Sequence, residues 1–325
     1  MMLMRNVMLG VLGGLLAVTA ADAQTFPTRP VTMYVTAAAG GVTDVVARAV
    51  GAKLSELWGQ PVVIENKGGA AHIIGAQQVA KAAPDGHTLL AAESGTYVLN
   101  PTFYPPDRLG YVVGKDIIPI TGLVRINQAI IASNDLPVSD IAELIALAKQ
   151  KPGKLTYGTA SLGSAPHMNM LKFERMADVK LQAVHYRGAS PALTDVMAGH
   201  INLMSVSTSL SVPAHRDHRV KMLGVGSLQR RAQIADLPTV AETVPGYEAV
   251  TWFGLATTGG TPPDVIRKIS ADVQKVMNDP EFRTKFLEPQ MFEPMAETPE
   301  QFADYVKRET ENWAKIIAET HLTIN

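Results

Sequence analysis

The chain of 325 residues contains no cysteine at all. Disulfides and thiolate metal sites are therefore excluded, and an exported form has to be stable from its core alone. Charge of one sign is lacking too: 29 basic against 30 acidic residues leave a formal net charge of −1. That balance offers nothing to nucleic acid or to an anionic membrane surface, and it rules out bulk electrostatic capture of an anion. The signatures of several enzyme classes are missing as well. There is no G-x-S-x-G elbow, no S-x-x-K and no H-E-x-x-H. No G-x-G-x-x-G follows a strand, and there is no Walker A loop. Composition shows no low-complexity linker.

One apolar run stands out, at the start. Arg5 precedes the uncharged stretch Val7–Val18, and Ala21-Asp22-Ala23 has the small-x-small pattern of a cleavage site. About 12 apolar residues fall short of the ~20 needed to span a bilayer, so the segment reads as a cleaved export signal rather than a retained anchor. With no cysteine behind the apolar run, a lipid-anchored form is excluded. The expected mature chain is periplasmic, begins at Gln24 and does not insert into the membrane. About 300 residues remain, enough for two lobes with separate cores.

Along this length strands and helices alternate, which points to α/β architecture. Extended segments are expected at Val31–Thr36, Val62–Glu65, Thr88–Ala92, Ile117–Val124, Gln128–Ala132, Leu155–Thr159, Ala183–Tyr186, Ile201–Ser205, Val220–Gly226 and Trp252–Thr257. The intervening helices run over about 43–58, 71–82 and 191–198. Another is capped by Ser139, and one opens at Pro262-Pro263 with Val265, Ile266, Ile269, Val273 and Val276 on one face. Thr239/Glu242 and Thr298/Gln301 have capping-box spacing, the second starting the last helix. The stretch through Asn100-Pro101 and Pro105-Pro106 reads as loop, and His215-Arg216-Asp217-His218 as an exposed turn rather than a metal site.

Two of these strand-to-helix junctions repeat one design. Val31–Thr36 passes through Ala37-Ala38-Ala39-Gly40-Gly41-Val42-Thr43-Asp44 into a helix. Leu155–Thr159 passes through Ala160-Ser161-Leu162-Gly163-Ser164-Ala165-Pro166-His167 into another. Each loop is small and polar and lacks lysine and arginine. Free N–H groups and the positive end of the helix dipole make such a loop an anion cradle, although glycine and serine there are also ordinary capping chemistry. Two cradles, one in each half, point to a carboxylate held between two lobes. Asp44 reads as a structural cap. His167 is either a donor facing the cleft or a satisfied structural histidine, and His72 can face either way. Asp195 either receives a ligand ammonium or faces water, and Arg187 reads as solvated.

In order along the chain stand Arg29-Pro30-Val31, Gly40-Gly41-Val42-Thr43-Asp44 with Ala47-Arg48, Val63-Ile64-Glu65-Asn66-Lys67, Pro84-Asp85-Gly86 and Asn100-Pro101. Gly163-Ser164 with His167, Tyr186-Arg187-Gly188, Leu237-Pro238-Thr239 with Glu242, Trp252-Phe253-Gly254-Leu255 and Gly260-Thr261-Pro262 follow. In this combination the chain resembles the Bug-type solute-binding proteins of tripartite tricarboxylate transporters across essentially its whole mature length. The resemblance implies an α/β, two-lobed periplasmic binding protein fold with a ligand cleft between the lobes. It implies capture of a small carboxylate, whether aliphatic, aromatic, tricarboxylic or an acidic amino acid, and delivery to membrane transporter subunits. An exported hydrolase of a small ester or amide, or a binding protein serving only signalling, is the competing reading.

Carried over residue by residue, the ligand contacts are Gly40, Gly41 and Thr43, then Ser161, Ser164 and His167, then Tyr186 and Gly188. Ser94 and Asp195 complete the candidate set. No catalytic residue, cofactor or metal is implied, and a monomer is expected. Lobe one is expected to comprise 24–124 with 250–325, and lobe two 125–249, the chain crossing near Arg125 and near Val250. Two segments depart from the family pattern: Ala37-Ala38-Ala39 stands where the family has a Pro/Phe-rich segment, and Gly69-Ala70-Ala71-His72 where it has Gly-Ala-Gly-Gly.

N-terminal sequencing of the periplasmic fraction is expected to read from Gln24, because Ala21-Asp22-Ala23 is the well-placed cleavage site after the apolar run. A chain still starting at Met1 in the membrane fraction would overturn the export reading.

Overall fold

A computed structural model describes residues 26–37, 39–69, 72–160, 164–186 and 188–320. The expected export segment, Ser161 and Arg187 lie outside the described residues. Ten strands occur among the described residues: β1 (Val31–Val35), β2 (Val62–Asn66), β3 (Thr88–Glu93), β4 (Ile117–Ala132), β5 (Thr156–Thr159), β6 (Gln182–His185), β7 (Leu203–Ser207), β8 (Lys221–Val225), β9 (Val250–Thr258) and β10 (Glu293–Pro294). Their order is β2-β1-β3-β9-β4-β7-β5-β6, with β8 and β10 also paired to β4.

The first lobe is built around the parallel trio β2-β1-β3 and the second around the parallel trio β6-β5-β7. Each trio is then joined by an antiparallel neighbour, β9 beside β3 and β4 beside β7. The two lobes thus repeat one topology: the central strand comes first, its successor lies on one side and the third strand on the other. That reversal is a topological switch point, and it places a crevice at the C-terminal end of β1 and another at the C-terminal end of β5.

Periodicity explains the packing. In β1, Val31, Met33 and Val35 alternate into a core they share with Val46, Val50 and Leu54 of the Val42–Trp58 helix. Each of these buried aliphatic side chains contributes about 1.5–3 kcal/mol through burial. The Pro263–Asn278 helix adds Ile269, Val273 and Val276 to the same face. On the opposite face, Tyr97, Trp252, Phe302 and Val306 form a second cluster. The second lobe likewise has a cluster on each side of its strands, one around Tyr157, Phe173 and Tyr247, the other around Val196, Met204 and Met222. Trp252 stacks on Tyr97 at 5.5 Å and meets Phe302 edge-on at 5.5 Å, so the last helix, Pro299–Thr320, is fastened to β9 through aromatic contacts.

Several expectations need correction. Ile117–Val124 and Gln128–Ala132 are not separate strands but one strand of 16 residues. Arg125 and Asn127 interrupt the apolar pattern, yet their backbone stays paired with β9. At Gln128 the partners change to β7, and from Ala129 β8 pairs on the other side. The Asn100–Pro106 region is not loop. A π-helical turn, Gly95–Leu99, runs into the short helix Asn100–Phe103, and a further turn covers Pro106–Leu109. Proline is tolerated there because it sits at the start of each short helix. The cap at Ser139 falls one residue later: the Asp140 carboxylate accepts the Glu143 N–H at 2.8 Å, and Glu143 returns a carboxylate oxygen to the Ser139 N–H at 2.7 Å. His215 and Arg216 end the Thr208–Arg216 helix, and the expected turn shrinks to Asp217-His218. Among the described residues, no group of three or more His, Asp and Glu side chains is placed to hold a metal ion, and no helix is long and apolar enough to cross a membrane.

Gly254 shows how tightly β9 meets the last helix. A β-carbon added there would lie 2.4 Å from Cζ of the buried Phe302 ring. Gly254→Ala is therefore expected to destabilise the protein by about 1–3 kcal/mol, read as a lower urea midpoint at unchanged slope. An unchanged midpoint would show that the Phe302 contact yields freely.

Candidate functional site

The first cradle is the turn between β1 and the Val42–Trp58 helix. Gly40 has φ +79°, a conformation that favours glycine, and Gly41 is the N-cap with no side-chain hydrogen bond across the helix start. Helix N–H groups are therefore left uncapped by side chains at the mouth of the crevice. Thr43 and Asp44 are both buried, at 5% and 3% exposure. The Asp44 carboxylate turns back on its own loop: Oδ2 accepts the Gly40 N–H at 2.9 Å and Arg48 Nε at 3.0 Å. Its Oδ1 accepts Asn66 Nδ2 at 2.9 Å and Arg48 Nη2 at 2.9 Å. Asn66 Nδ2 also donates to the Ala37 carbonyl at 3.0 Å. Burial would raise the Asp44 pKa, but the hydrogen bonds from Arg48, Gly40 and Asn66 outweigh it and hold the carboxyl below its ordinary range. Asp44 and Arg48 neutralise each other and brace the loop.

Sequence reasoning left one group here without a role. His72, at the start of the Ile73–Ala80 helix, has its Nδ1 2.6 Å from the Thr36 carbonyl and its Nε2 3.2 Å from Glu93 Oε1. Burial opposes its charge, but the Glu93 carboxylate and the Thr36 carbonyl prevail and raise its pKa to about 9. Glu93 is lowered in return: burial opposes ionisation, and the charge of His72 overcomes it. So the ends of β1 and β3 are tied by an ion pair beside the cradle. Ser94, the next residue, is buried and opens the Gly95–Leu99 turn. The histidine in place of a glycine was the visible signal; its acidic partner lies 21 positions downstream and is joined to it only by the β1–β3 pairing.

The second cradle is made by three helix starts at the C-terminal edge of β7-β5-β6. Ser164 is the N-cap of Ala165–Ala177, Gly188 that of Ala189–Met197, and Ser207 that of Thr208–Arg216, none with a side-chain cap hydrogen bond. Gly188 has φ +122°, and its N–H donates to the Ala160 carbonyl at 2.9 Å. His167 is buried, its ring stacked on Tyr157 at 6.3 Å and edge-on to His185 at 5.0 Å. Burial, and then the neighbouring His185, lower its pKa to about 4, so His167 is neutral at physiological pH. His185 in turn shares a hydrogen bond of 2.9 Å with the Thr159 hydroxyl.

Tyr186 and Asp195, both in the candidate set, meet each other: the phenol donates to Asp195 Oδ2 at 2.6 Å. Asp195 Oδ1 also lies 3.3 Å from His200 Nδ1. Burial first, and then Asp195, raise the Tyr186 pKa to about 12. The structure therefore gathers Gly40, Gly41, Thr43 and Ser94 at the edge of the first lobe. Ser164, His167 and Gly188 stand at the edge of the second and Tyr186 follows β6, whereas Asp195 lies in the last turn of the Ala189–Met197 helix, beside His200 and away from the helix starts. A separate cavity of about 570 Å3, walled by Tyr97, Tyr104, Leu109, Tyr111 and Val306, includes none of these residues.

Asp44→Ala is expected to destabilise the ligand-free protein by about 2 kcal/mol, since it strands the Gly40 N–H and the Asn66 amide. Because the native pKa of Asp44 lies below its unfolded value, its contribution is full above the ordinary carboxylate range and fades as pH falls through the lowered value. Urea titrations of both proteins between neutral and acid pH measure this, and a difference that does not narrow in acid would count against the account.

Comparison with known proteins agrees with the fold. Residues 46–322 match the family model described as the tripartite tricarboxylate transporter family receptor. The UPF0065 protein in the tcbD-tcbE intergenic region of Pseudomonas sp. (strain P51) is 36% identical over 302 residues, 92% of this chain and 89% of that protein. Among solved structures, an R. palustris protein with adipate is 33% identical at a TM-score of 0.81, covering 90% of this chain and 97% of its own. MatC from Rhodopseudomonas palustris with bound malate is 31% identical at a TM-score of 0.78, covering 90% of this chain and 100% of its own.

Proposed function

The chain belongs to the tripartite tricarboxylate transporter receptor family, and we propose that it captures a small carboxylate between its two lobes and hands it to a membrane transporter of that type. The observation that supports this reading best is the pair of side-chain-uncapped helix starts at the two topological switch points, after β1 and after β5. Both neighbours named with a ligand hold a dicarboxylate, adipate or malate, which favours an aliphatic di-acid here. The periplasm is the expected compartment, and the chain is expected to work as a monomer without cofactor and without turnover.

In this reading Gly40, Gly41, Thr43 and Ser94 serve one end of the ligand. Ser161, Ser164, His167, Tyr186, Gly188 and Asp195 serve the other. The lobes divide as 24–124 with 250–325 and 125–249, hinged where β4 and β9 pass from one to the other. Neutral donors aimed at an anion form charge-assisted hydrogen bonds, so a site made of N–H groups, hydroxyls and water can hold a carboxylate without a dedicated arginine. A neutral His167 fits such a site, since an uncharged imidazole can still donate one hydrogen bond.

Mass spectrometry of small acids released from the purified protein identifies the ligand, and calorimetric titration tests the site. At a ligand concentration a hundredfold above Kd, stability is expected to rise by ~2.7 kcal/mol. Ser164→Ala is expected to weaken binding about tenfold. Arg187→Ala is expected to matter less. Wild-type affinity in Ser164→Ala together with abolished binding in Arg187→Ala would show a conventional salt-bridged site. Turnover of a small ester or amide would instead favour a hydrolase.

A further inference from the structure

His72 holds a backbone conformation that side chains rarely adopt, with φ +72° and ψ 7°. A β-carbon makes that region costly, so a residue stays there only when its surroundings fix it. Here both ring nitrogens are committed. Nδ1 lies 2.6 Å from the Thr36 carbonyl oxygen and Nε2 lies 3.2 Å from Glu93 Oε1. A carbonyl and an ionised carboxylate can only accept, so both nitrogens have to donate, and the ring is an imidazolium. The His72 N–H in turn donates to the Gly69 carbonyl at 3.0 Å.

The consequence falls on the first cradle. A peptide unit is planar and trans, so drawing the Thr36 carbonyl toward His72 aims the Ala37 N–H the opposite way. Asn66 of β2 takes the Ala37 carbonyl. The Thr36 carbonyl, which would repel an anion, is held by a donor on the β3 side, and the N–H of the same peptide is turned the other way. Asp44 draws in the Gly40 N–H at the far end of the same loop. The loop is thus pinned at Thr36, Ala37 and Gly40.

We propose that His72 is a positioning residue of the carboxylate site: as an imidazolium spanning Thr36 and Glu93, it turns the Thr36 carbonyl from the ligand and sets the Ala37 N–H of the first cradle toward it. This rests on the carboxylate-receptor reading above. It also makes the cradle sensitive to pH, because a ring that loses a proton can satisfy only one of its two acceptors. Of the charged groups on the neighbouring elements, Glu93 touches the ring. Lys67 extends over the Tyr34 ring at 5.9 Å, and Asp44 and Arg48 pair with each other. The Ile73–Ala80 helix that His72 opens carries no charged residue.

Calorimetric titration of the full mature chain with adipate and with malate, from pH 6.5 to pH 10, tests the proposal in wild type, His72→Gln and Glu93→Gln. Nitrogen-15 NMR of the ligand-free protein reads the ring directly. The His72 ring is expected to be doubly protonated at pH 7.5, and wild-type affinity to hold near neutrality and fall as pH passes about 9. His72→Gln is expected to bind about tenfold more weakly at pH 7.5 and to lose the alkaline fall. Glu93→Gln keeps an acceptor but removes the charge, so its fall in affinity is expected to move down toward the ordinary histidine range. That variant carries the test if His72→Gln does not fold. A neutral ring at pH 7.5, wild-type affinity and pH profile in His72→Gln, or an unmoved fall in Glu93→Gln would each overturn the role of His72 and leave the receptor reading intact. Wild type that binds neither adipate, malate nor any acid released from it would overturn the receptor reading, and the role of His72 with it.

Discussion

A helix cannot satisfy its own first N–H groups, and the architecture of this protein turns on where it leaves those groups. In each lobe a parallel strand ends, the chain turns through small residues, and a helix begins with no side chain bonded across its start. Gly41, Ser164, Gly188 and Ser207 are all N-caps of this kind. Two other helix starts are closed by side chains: Asp140 and Asp279 accept the N–H groups of Glu143 and Phe282. The contrast matters because a capped start is a finished structure, whereas an uncapped one at a strand-order reversal is polarised toward whatever enters the crevice.

Charge around these starts is balanced locally. Arg48 is bound by Asp44, His72 by Glu93, and Tyr186 donates to Asp195. The first two pairs brace the backbone beside the first cradle instead of projecting a bare charge into it. With Arg48 half exposed, the Asp44 pair is worth more as a way of shaping the Gly40 loop than as electrostatic stability. A binding site assembled from shaped backbone also fits a near-neutral chain, whose overall field does little to gather anions.

The two lobes are joined by more than the covalent chain. β4 pairs with β9 from Ile117 to Asn127 and changes partners at Gln128, so one ladder runs through both lobes. Arg231, on the segment after β8, and Asn127 both donate to Glu293 of β10. On the other side, Met168 and Leu171 of the Ala165–Ala177 helix pack against the cluster of Tyr97, Trp252 and Phe302. The helix whose first turn forms the second cradle is therefore held against the first lobe through its first two turns. Motion between the lobes has to rearrange these contacts, which confines it to a few alternative packings rather than a continuous range.

The alternation of strands and helices, the identity of most elements and the two strand-to-helix junctions after β1 and β5 were legible in the sequence. They depend on local rules: hydrophobic period, capping residues, and small residues at strand ends. The single strand from Ile117 to Ala132 was not legible, since Arg125 and Asn127 look like a break until β9 supplies their backbone partners. Nor was the helical run through Gly95–Phe103, where burial of Tyr97, Val98 and Leu99 prevails over the proline signal. Among the site residues, the sequence by itself determined the types, the spacing and the absence of lysine and arginine from both loops. Which of them face one another was decided by strand order alone. Glu93 reaches His72 because β3 pairs with β1, and Tyr186 reaches Asp195 because β6 hands the chain to a helix that returns along it. Local sequence sets the backbone preference of each turn; only the tertiary structure brings distant charges within hydrogen-bonding reach, because that distance depends on the order of strands and not on the residues between them.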